Sequence, residues 1–141
     1  MNIRPINLET ELPILRSWWV ARGLAPLPDA AFLPGRGYVV EVSGVLVACA
    51  WLFIVPGTAG GIGILEFMST NPKIAVGKSL LSDVKALYAH LEIEAWAAGC
   101  GSLISFVAPE SGEHHQMQRN GWADLTGGVK HLMLGKVRPC Q

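Results

Sequence analysis

The chain has 141 residues, half of them hydrophobic, with 11 basic and 11 acidic side chains. That length fits one domain with a full core. A formal net charge of zero leaves neither the basic footprint of sequence-independent nucleic-acid binding nor a polybasic membrane patch; a neutral, apolar surface favours self-association, so a homodimer is expected.

The cysteines, Cys49, Cys100 and Cys140, are odd in number and widely spaced, which fits neither a disulfide framework nor a zinc site. Met1 to Ile6 lacks the apolar core of a signal peptide. Both features point to a reducing cytoplasm. The stretch from Val42 to Leu65 carries no charge and is long enough to span a bilayer. Ser43-Gly44 near one end and Pro56-Gly57-Thr58-Ala59-Gly60-Gly61 inside it cut the run. The remaining pieces are rich in Val, Ile and aromatic residues and read as strands.

In chain order, Asn2 to Ile6 reads as a short strand. Thr10 then reads as an N-cap, with Glu11 and Pro13 in the first turn of a helix whose apolar face is Leu12, Leu15, Trp18 and Trp19; Gly23 ends it. Three prolines between Leu24 and Gly35 make that segment a loop or broken helix. Tyr38 to Val42 and Val45 to Val55 form a hairpin about Ser43-Gly44. A third strand, Ile62 to Ser69, is broken by Asn71-Pro72. From Ser79 the chain reads as a long helix with Leu80, Leu81, Val84, Leu87, Tyr88, Leu91, Ala95 and Ala98 on one face, stopped by Gly99. Ser102 to Val107 is a buried strand reached by a helical crossover, hence parallel to the strand before it. A short helix from Glu113 to Asn120, a strand from Trp122 to Leu125, a Gly127-Gly128 turn and a last strand from Val129 to Leu134 complete an α+β mixed sheet, mostly antiparallel, flanked by helices.

The segment most suggestive of chemistry runs from Ile64 to Leu81: a strand, a loop, then a helix start carrying Gly77, Lys78 and Ser79. Free N–H groups and the positive dipole end of a helix suit a phosphate. Gly77-Lys78-Ser79 matches the end of a P-loop, but Pro72 stands where its first glycine belongs, and the strand from Ser102 to Val107 has no aspartate for Mg²⁺. A plain helix start without a ligand is the other rival.

The order of elements resembles the GCN5-related N-acetyltransferases. Ile62 to Ser69 matches that family's bulged strand, Ile74-Ala75-Val76-Gly77-Lys78-Ser79 its Arg/Gln-x-x-Gly-x-Gly/Ala loop, and Asn120-Gly121-Trp122 the Gly-Phe that ends its short helix. Leu33-Pro34-Gly35-Arg36-Gly37-Tyr38, followed by Ala48-Cys49-Ala50-Trp51-Leu52, resembles a phage-associated branch. The resemblance implies a single domain over residues 1–141 that binds acetyl-CoA or another acyl-CoA as co-substrate. Phe67, Met68 and Ser69 would lie along the thioester arm, and Val76, Gly77, Lys78 and Ser79 would hold the pyrophosphate. The implied reaction is direct attack of a small-molecule or protein amine on the thioester, with a backbone amide near Met68 stabilising the oxyanion. Glu66, conspicuous as a charge in an apolar strand, is the candidate base, its rival reading being an exposed strand carboxylate. Ile74 and Ser79 depart from the loop pattern. Met117 occupies the position of the tyrosine that protonates the leaving thiolate, and Glu110 that of a helix-start asparagine.

His115 is the candidate acid in place of that tyrosine. It competes with a reading of His114 and His115 as a solvated pair, since neighbours on a helix point about 100° apart. His90 and His131 read as isolated surface residues, and Cys100 as structural. In this family the first helix borders the acceptor pocket, so Trp18 or Trp19 is either a pocket wall or core. Two other functions fit the same fold: a catalytically silent acyl-CoA-binding module, favoured by Met117 and the degenerate loop, and a nucleobase-modifying enzyme, disfavoured by the neutral charge.

Overall fold

A computed structural model describes residues 1–24, 26–58, 60–107, 111–125 and, as backbone, 132–137. In chain order the elements are β1 (Asn2–Pro5), α1 (Leu8–Ala21), a 3-10 turn (Ala30–Phe32), β2 (Gly37–Val42), β3 (Val45–Val55), β4 (Gly61–Thr70), α2 (Lys78–Ala97), β5 (Cys100–Val107), α3 (Gly112–Arg119), β6 (Ala123–Asp124) and β7 (Leu132–Val137). The hydrogen-bonded strand order is β1-β2-β3-β4-β5-β7-β6. β4 and β5 run parallel, while β1–β2, β2–β3, β5–β7 and β6–β7 are antiparallel. This is the expected α+β mixed sheet. Among the described residues no helix is long and apolar enough to cross a membrane; the uncharged run from Val42 to Leu65 lies in the strands. The chain forms two compact units, residues 1–51 with 67–90 and residues 52–66 with 91–141.

In the first unit, Asn7 rather than Thr10 caps α1. Its side chain accepts from the amides of Glu9 and Thr10, so Thr10 falls inside the first turn and Pro13 in the second, where it leaves the Glu9 carbonyl without an i→i−4 donor. Leu12, Leu15, Trp18 and Trp19 are all buried, which makes both tryptophans core. Trp51 on β3 is fully buried at the centre. Its ring meets Trp19 edge-on at 6.4 Å and Phe67 at 6.3 Å, the T-shaped geometry that aromatic quadrupoles favour. Gly37 makes room for it: a Cβ there would collide with Trp51 Nε1 and stand 2.7 Å from Trp51 Cδ1. The hairpin turn places Ser43 at φ 51° and Gly44 at φ 79°, the two positive values a type I′ turn requires.

Arg4 joins β1, β2 and α1. Its Nη2 donates to Glu11 Oε1 at 2.6 Å and to Glu41 Oε2 at 2.7 Å, and the Asn7 amide donates to Glu11 Oε2 at 2.8 Å. Glu41 lies diagonally across the ladder from Arg4, since Asn2 pairs with Glu41 and Arg4 with Val39. The Arg4 guanidinium holds the buried Glu11 carboxyl below the usual carboxylate range. On α2, His90 is not the surface residue the sequence suggests. Its ring packs edge-on against Tyr38 at 4.6 Å and its Nε2 is buried without a hydrogen-bond partner. A short polar residue pattern does not reveal that β2 supplies a ring beside it.

In the second unit, Leu91 and Ala95 of α2 are buried, and Gly63 lets the strand approach closely, since a Cβ there would strike Leu103 and meet Leu52 Cδ1 at 3.1 Å. Gly99, at φ 84°, ends the helix as expected. Its carbonyl accepts from the Gly61 amide at 3.2 Å and so leads the chain directly into the parallel ladder. Among the described residues the last strand runs over Leu132–Val137, past the expected end at Leu134, and its expected start at Val129 lies outside them. The Gly127-Gly128 turn, Ala108-Pro109, His131 and Cys140 lie outside the described residues.

Two outcomes follow from this packing. Because Glu11 is held ionised in the fold, its contribution is present above the unfolded-state pKa and is lost as pH falls through the folded one. The melting temperature is therefore expected to fall more steeply on acidification in the native chain than in Glu11→Gln, which loses about 1–3 kcal/mol at neutral pH; parallel curves would contradict the ion-pair account. Gly37→Ala is expected to cost about 1–3 kcal/mol in urea unfolding. Gly35→Ala, where a Cβ meets nothing within 4 Å, should leave the midpoint in place.

Candidate functional site

The parallel ladder between β4 and β5 pairs Gly61 with Cys100 and Ile62 with Ser102, skips one residue of β5 between them, and ends at Leu65 with Ser105. β5 keeps its antiparallel partner β7 through Val107, so its opposite edge is released from the ladder at Phe106. At this point Ser105 Oγ donates to the Leu65 carbonyl at 2.8 Å in a buried bond. The Phe106 amide donates to Glu66 Oε1 at 3.2 Å. The carboxylate singled out in the sequence thus stands at the end of the ladder, half-buried and hydrogen-bonded to backbone.

Phe67, the next residue of β4, has φ 56°. A bulky residue in the left-handed region is a genuine outlier, and it is held by the packing of its ring on Trp51. The kink interrupts the regular alternation of β4. Met68 is half-buried and Ser69 buried. Beneath them the Cys49 thiol is bonded to the Ser69 backbone, and burial pushes its pKa up, so it is inert as a nucleophile.

Asn71 fixes the exit of β4. Its amide donates to the Val47 carbonyl at 2.9 Å, its Nδ2 to the Leu46 carbonyl at 2.9 Å, and its Oδ1 accepts from the Lys73 amide at 3.0 Å. Arg22, just beyond α1, donates to both the carbonyl and the hydroxyl of Thr70. The loop that follows is exposed from Ala75 to Ser79. The first i→i−4 bond of α2 runs from the Leu81 amide to the Gly77 carbonyl at 3.0 Å, so the amides of Lys78, Ser79 and Leu80 have no intrahelical acceptor. A Cβ at Gly77 would meet nothing within 4 Å. This open backbone, with Lys78 beside it, fits a phosphate group. It does not make a P-loop, because the strand preceding it belongs to a mixed sheet and no aspartate lies on β5.

On α3, Ser111 is the N-cap and accepts from the His114 amide at 3.0 Å. His114 is buried and His115 exposed, their rings stacked at 5.5 Å. Met117 is fully buried. The helix ends in a Schellman motif: Trp122 N–H donates to the Met117 carbonyl and Gly121 N–H to that of Gln118, with Gly121 at φ 86°. The Gly-aromatic ending therefore has a local cause, a left-handed residue followed by a buried ring. Glu110 lies outside the described residues.

Of the residues expected in the site, Phe67, Met68, Ser69, Val76, Gly77, Lys78 and Ser79 belong to the first unit, joined through Asn71, and Glu66 and His115 to the second. Cys100 is buried, as expected of a structural thiol. In the sequence Asn71 reads as a mere strand breaker, and Ser105 does not stand out at all. A serine within the apolar run from Leu103 to Val107 is the signal that points to it. Removing the two side-chain bonds of the Asn71 turn is expected to free the loop: Asn71→Ala should lose about 1–2 kcal/mol and raise amide hydrogen exchange across residues 72–77, and unchanged exchange would contradict this role.

No protein-family model matches the chain, and no curated protein matches it in sequence. Solved structures do match. A Mycobacterium tuberculosis protein in complex with CoA and NLQ superposes with a TM-score of 0.74 at 12% identity, over 99% of this chain and 100% of that one. The ribosomal-protein-alanine N-acetyltransferase from Brucella melitensis gives 0.68 at 14% identity, over 98% and 100%. N-acetylglutamate synthase from Neisseria gonorrhoeae, complexed with CoA and L-arginine, gives 0.71 at 17% identity, over 96% of this chain but 32% of that longer one. At these identities the likeness is one of fold. The chain has the fold of the GCN5-related N-acetyltransferases.

Proposed function

We propose that the chain is an acyl-CoA-dependent N-acyltransferase, taking its acyl group from acetyl-CoA or another acyl-CoA. The observation that carries this reading is the parallel β4–β5 ladder ending at Leu65 and Ser105, with the positive-φ kink at Phe67 one residue after Glu66. Backbone N–H groups along a kinked strand suit an extended ligand, and the open α2 start at Gly77 suits a pyrophosphate. CoA accompanies two of the structural neighbours described above, which supports the same choice of ligand. L-arginine in one of them and the alanine acceptor in the name of another favour an amino-acid or peptide amine as acceptor.

Bound acyl-CoA supplies an activated acyl carbon: the amine nitrogen bonds to it, the C–S bond breaks, and CoA leaves as thiolate. Glu66 takes the ammonium proton, directly or through water, so that the amine attacks in its neutral form. A backbone amide near Met68 donates to the thioester oxygen as charge develops there. Met117 has no proton to give, and His115, exposed on α3, is the acid for the departing thiolate. A second reading, acyl-CoA binding without turnover, is favoured by the buried thioether of Met117 at the position of the family's tyrosine.

Gly77 allows a clean test. Because a side chain there meets open space, Gly77→Phe should melt within about 1 °C of the native chain, surface substitutions of this kind being near neutral. Acetyl-CoA at 100 times its Kd should stabilise the native chain by about 2.7 kcal/mol and the variant not at all. Equal shifts in both would exclude the loop as the pyrophosphate site. Release of free thiol from acetyl-CoA with amino-acid or peptide amines then separates turnover from silent binding.

A further inference from the structure

We propose that the outward face of α1 is the contact surface of a symmetric homodimer, in which α1 of each copy covers that of the other as an antiparallel pair centred on Ser17. The proposal is independent of the acyl-CoA reading, and α1 lies wholly in the first unit. One stripe of the helix, Leu12, Leu15, Trp18 and Trp19, is buried. The opposite stripe is Pro13, Ile14, Ser17, Val20 and Ala21, all exposed and all uncharged. A surface helix ordinarily sets charged residues opposite its buried stripe, whereas one that is apolar on both faces belongs between two layers. Ile14 is 49% exposed, Val20 73% and Leu24, just past the helix, 50%. A Schellman ending holds Leu24 there: its N–H donates to the Trp19 carbonyl at 3.0 Å and the Gly23 N–H to that of Val20 at 3.1 Å, with Gly23 at φ 64°. That end of the face is therefore ordered in advance, which lowers the cost of association.

A second copy is the partner this face fits. A two-fold contact needs one patch that is complementary to itself. With the axis at Ser17, Ile14 of one copy falls level with Val20 of the other. At about 100° per residue these two side chains lie about 60° to opposite sides of Ser17, so they pass beside one another instead of colliding. The stripe contributes no charge to be buried, and a net charge of zero leaves no overall repulsion between copies. The Ser17 hydroxyl donates to the Ile14 carbonyl at 2.6 Å, so covering it does not orphan a donor. Arg16, at the margin of the stripe, is engaged by the Pro28 carbonyl and Asp29. Edge pairing through β1 offers less. The Ile6 N–H bonds inward to Gly37, so alternation turns Ile3 and Pro5 outward. Pro5 has no N–H, and its carbonyl accepts from Arg4 Nη1 at 3.3 Å, which blunts that edge.

The test is sedimentation equilibrium of the full chain from about 1 to about 500 µM, the range in which a micromolar Kd is read. One helix from each copy makes an interface at the small end of the specific class, so the native chain should pass from monomer to dimer within that range. Val20→Glu sets an unpaired charge in the contact and should weaken dimerisation about a hundredfold. Val45→Glu, at another exposed valine, should leave the Kd in place. Ser17→Cys, made in a Cys140→Ser background, puts a thiol on the axis and should give a disulfide-linked dimer on oxidation, where Val45→Cys in the same background should not. A native chain that stays monomeric throughout would overturn the proposal and leave the face to a different partner. A dimer that Val20→Glu leaves intact would overturn it as well. Should Val20→Glu fail to fold, the cross-link decides, and its absence overturns the proposal.

Discussion

The parallel pairing of β4 with β5, beside four antiparallel pairs, governs the arrangement of the candidate site. Parallel neighbours cannot be joined by a tight turn, so the chain must leave β4, cross in a long segment and return. That crossover is α2, and its N-terminus necessarily follows the C-terminal end of β4. The exposed loop from Ala75 to Ser79 and the open backbone at Gly77 are therefore consequences of the strand topology. The parallel ladder is also short: it ends at Leu65 and Ser105, while the other edge of β5 stays paired with β7 through Val107. The end of the ladder, the kink at Phe67 and the loop after Thr70 follow one another within a single stretch of sequence.

Strain and its support are local to the same stretch. Phe67 occupies a backbone region that costs a residue with a Cβ about 1–2 kcal/mol. The T-shaped contact with Trp51 is the restoring interaction, and Trp51 is in turn fixed by Trp19 and by the space left at Gly37. The large aromatic core of the first unit thereby has a second role beyond burial: it packs on the one bulky residue, among those described, with a positive φ. The Arg4, Glu11 and Glu41 cluster ties β1, α1 and β2 beside it and keeps that core's edge charged but paired.

Much of this is legible in the sequence, for identifiable reasons. Runs rich in Val, Ile and aromatic residues, bounded by Ser43-Gly44 and Asn71-Pro72, mark β3 and β4, and the apolar face from Leu80 to Ala95 marks α2, since strand composition and helical spacing both follow from burial. A helix between two strands of one sheet makes the second parallel to the first, so the direction of β5 follows from the pattern alone. Other features are hidden because they depend on partners distant in sequence. Thr10 looks as good a cap as Asn7, and the choice is made by Glu11 reaching Arg4 and the Asn7 amide together. His90 looks exposed because Tyr38 lies far from it along the chain. Glu66 is visible as an isolated charge, but nothing in its own neighbourhood predicts that it bonds the Phe106 backbone, or that Ser105 answers it from the other strand.

The central claim is that the kinked strand and the α2 loop bind an acyl-CoA. It is tested most directly by following backbone amide resonances while acetyl-CoA is added, with ATP as the comparison. The account predicts saturable shifts concentrated at Phe67, Met68 and Ser69 and at Val76 to Ser79, with ATP reaching at most the second group. Shifts confined to that second group and equal for both nucleotides, or no shift with acetyl-CoA at all, would contradict it.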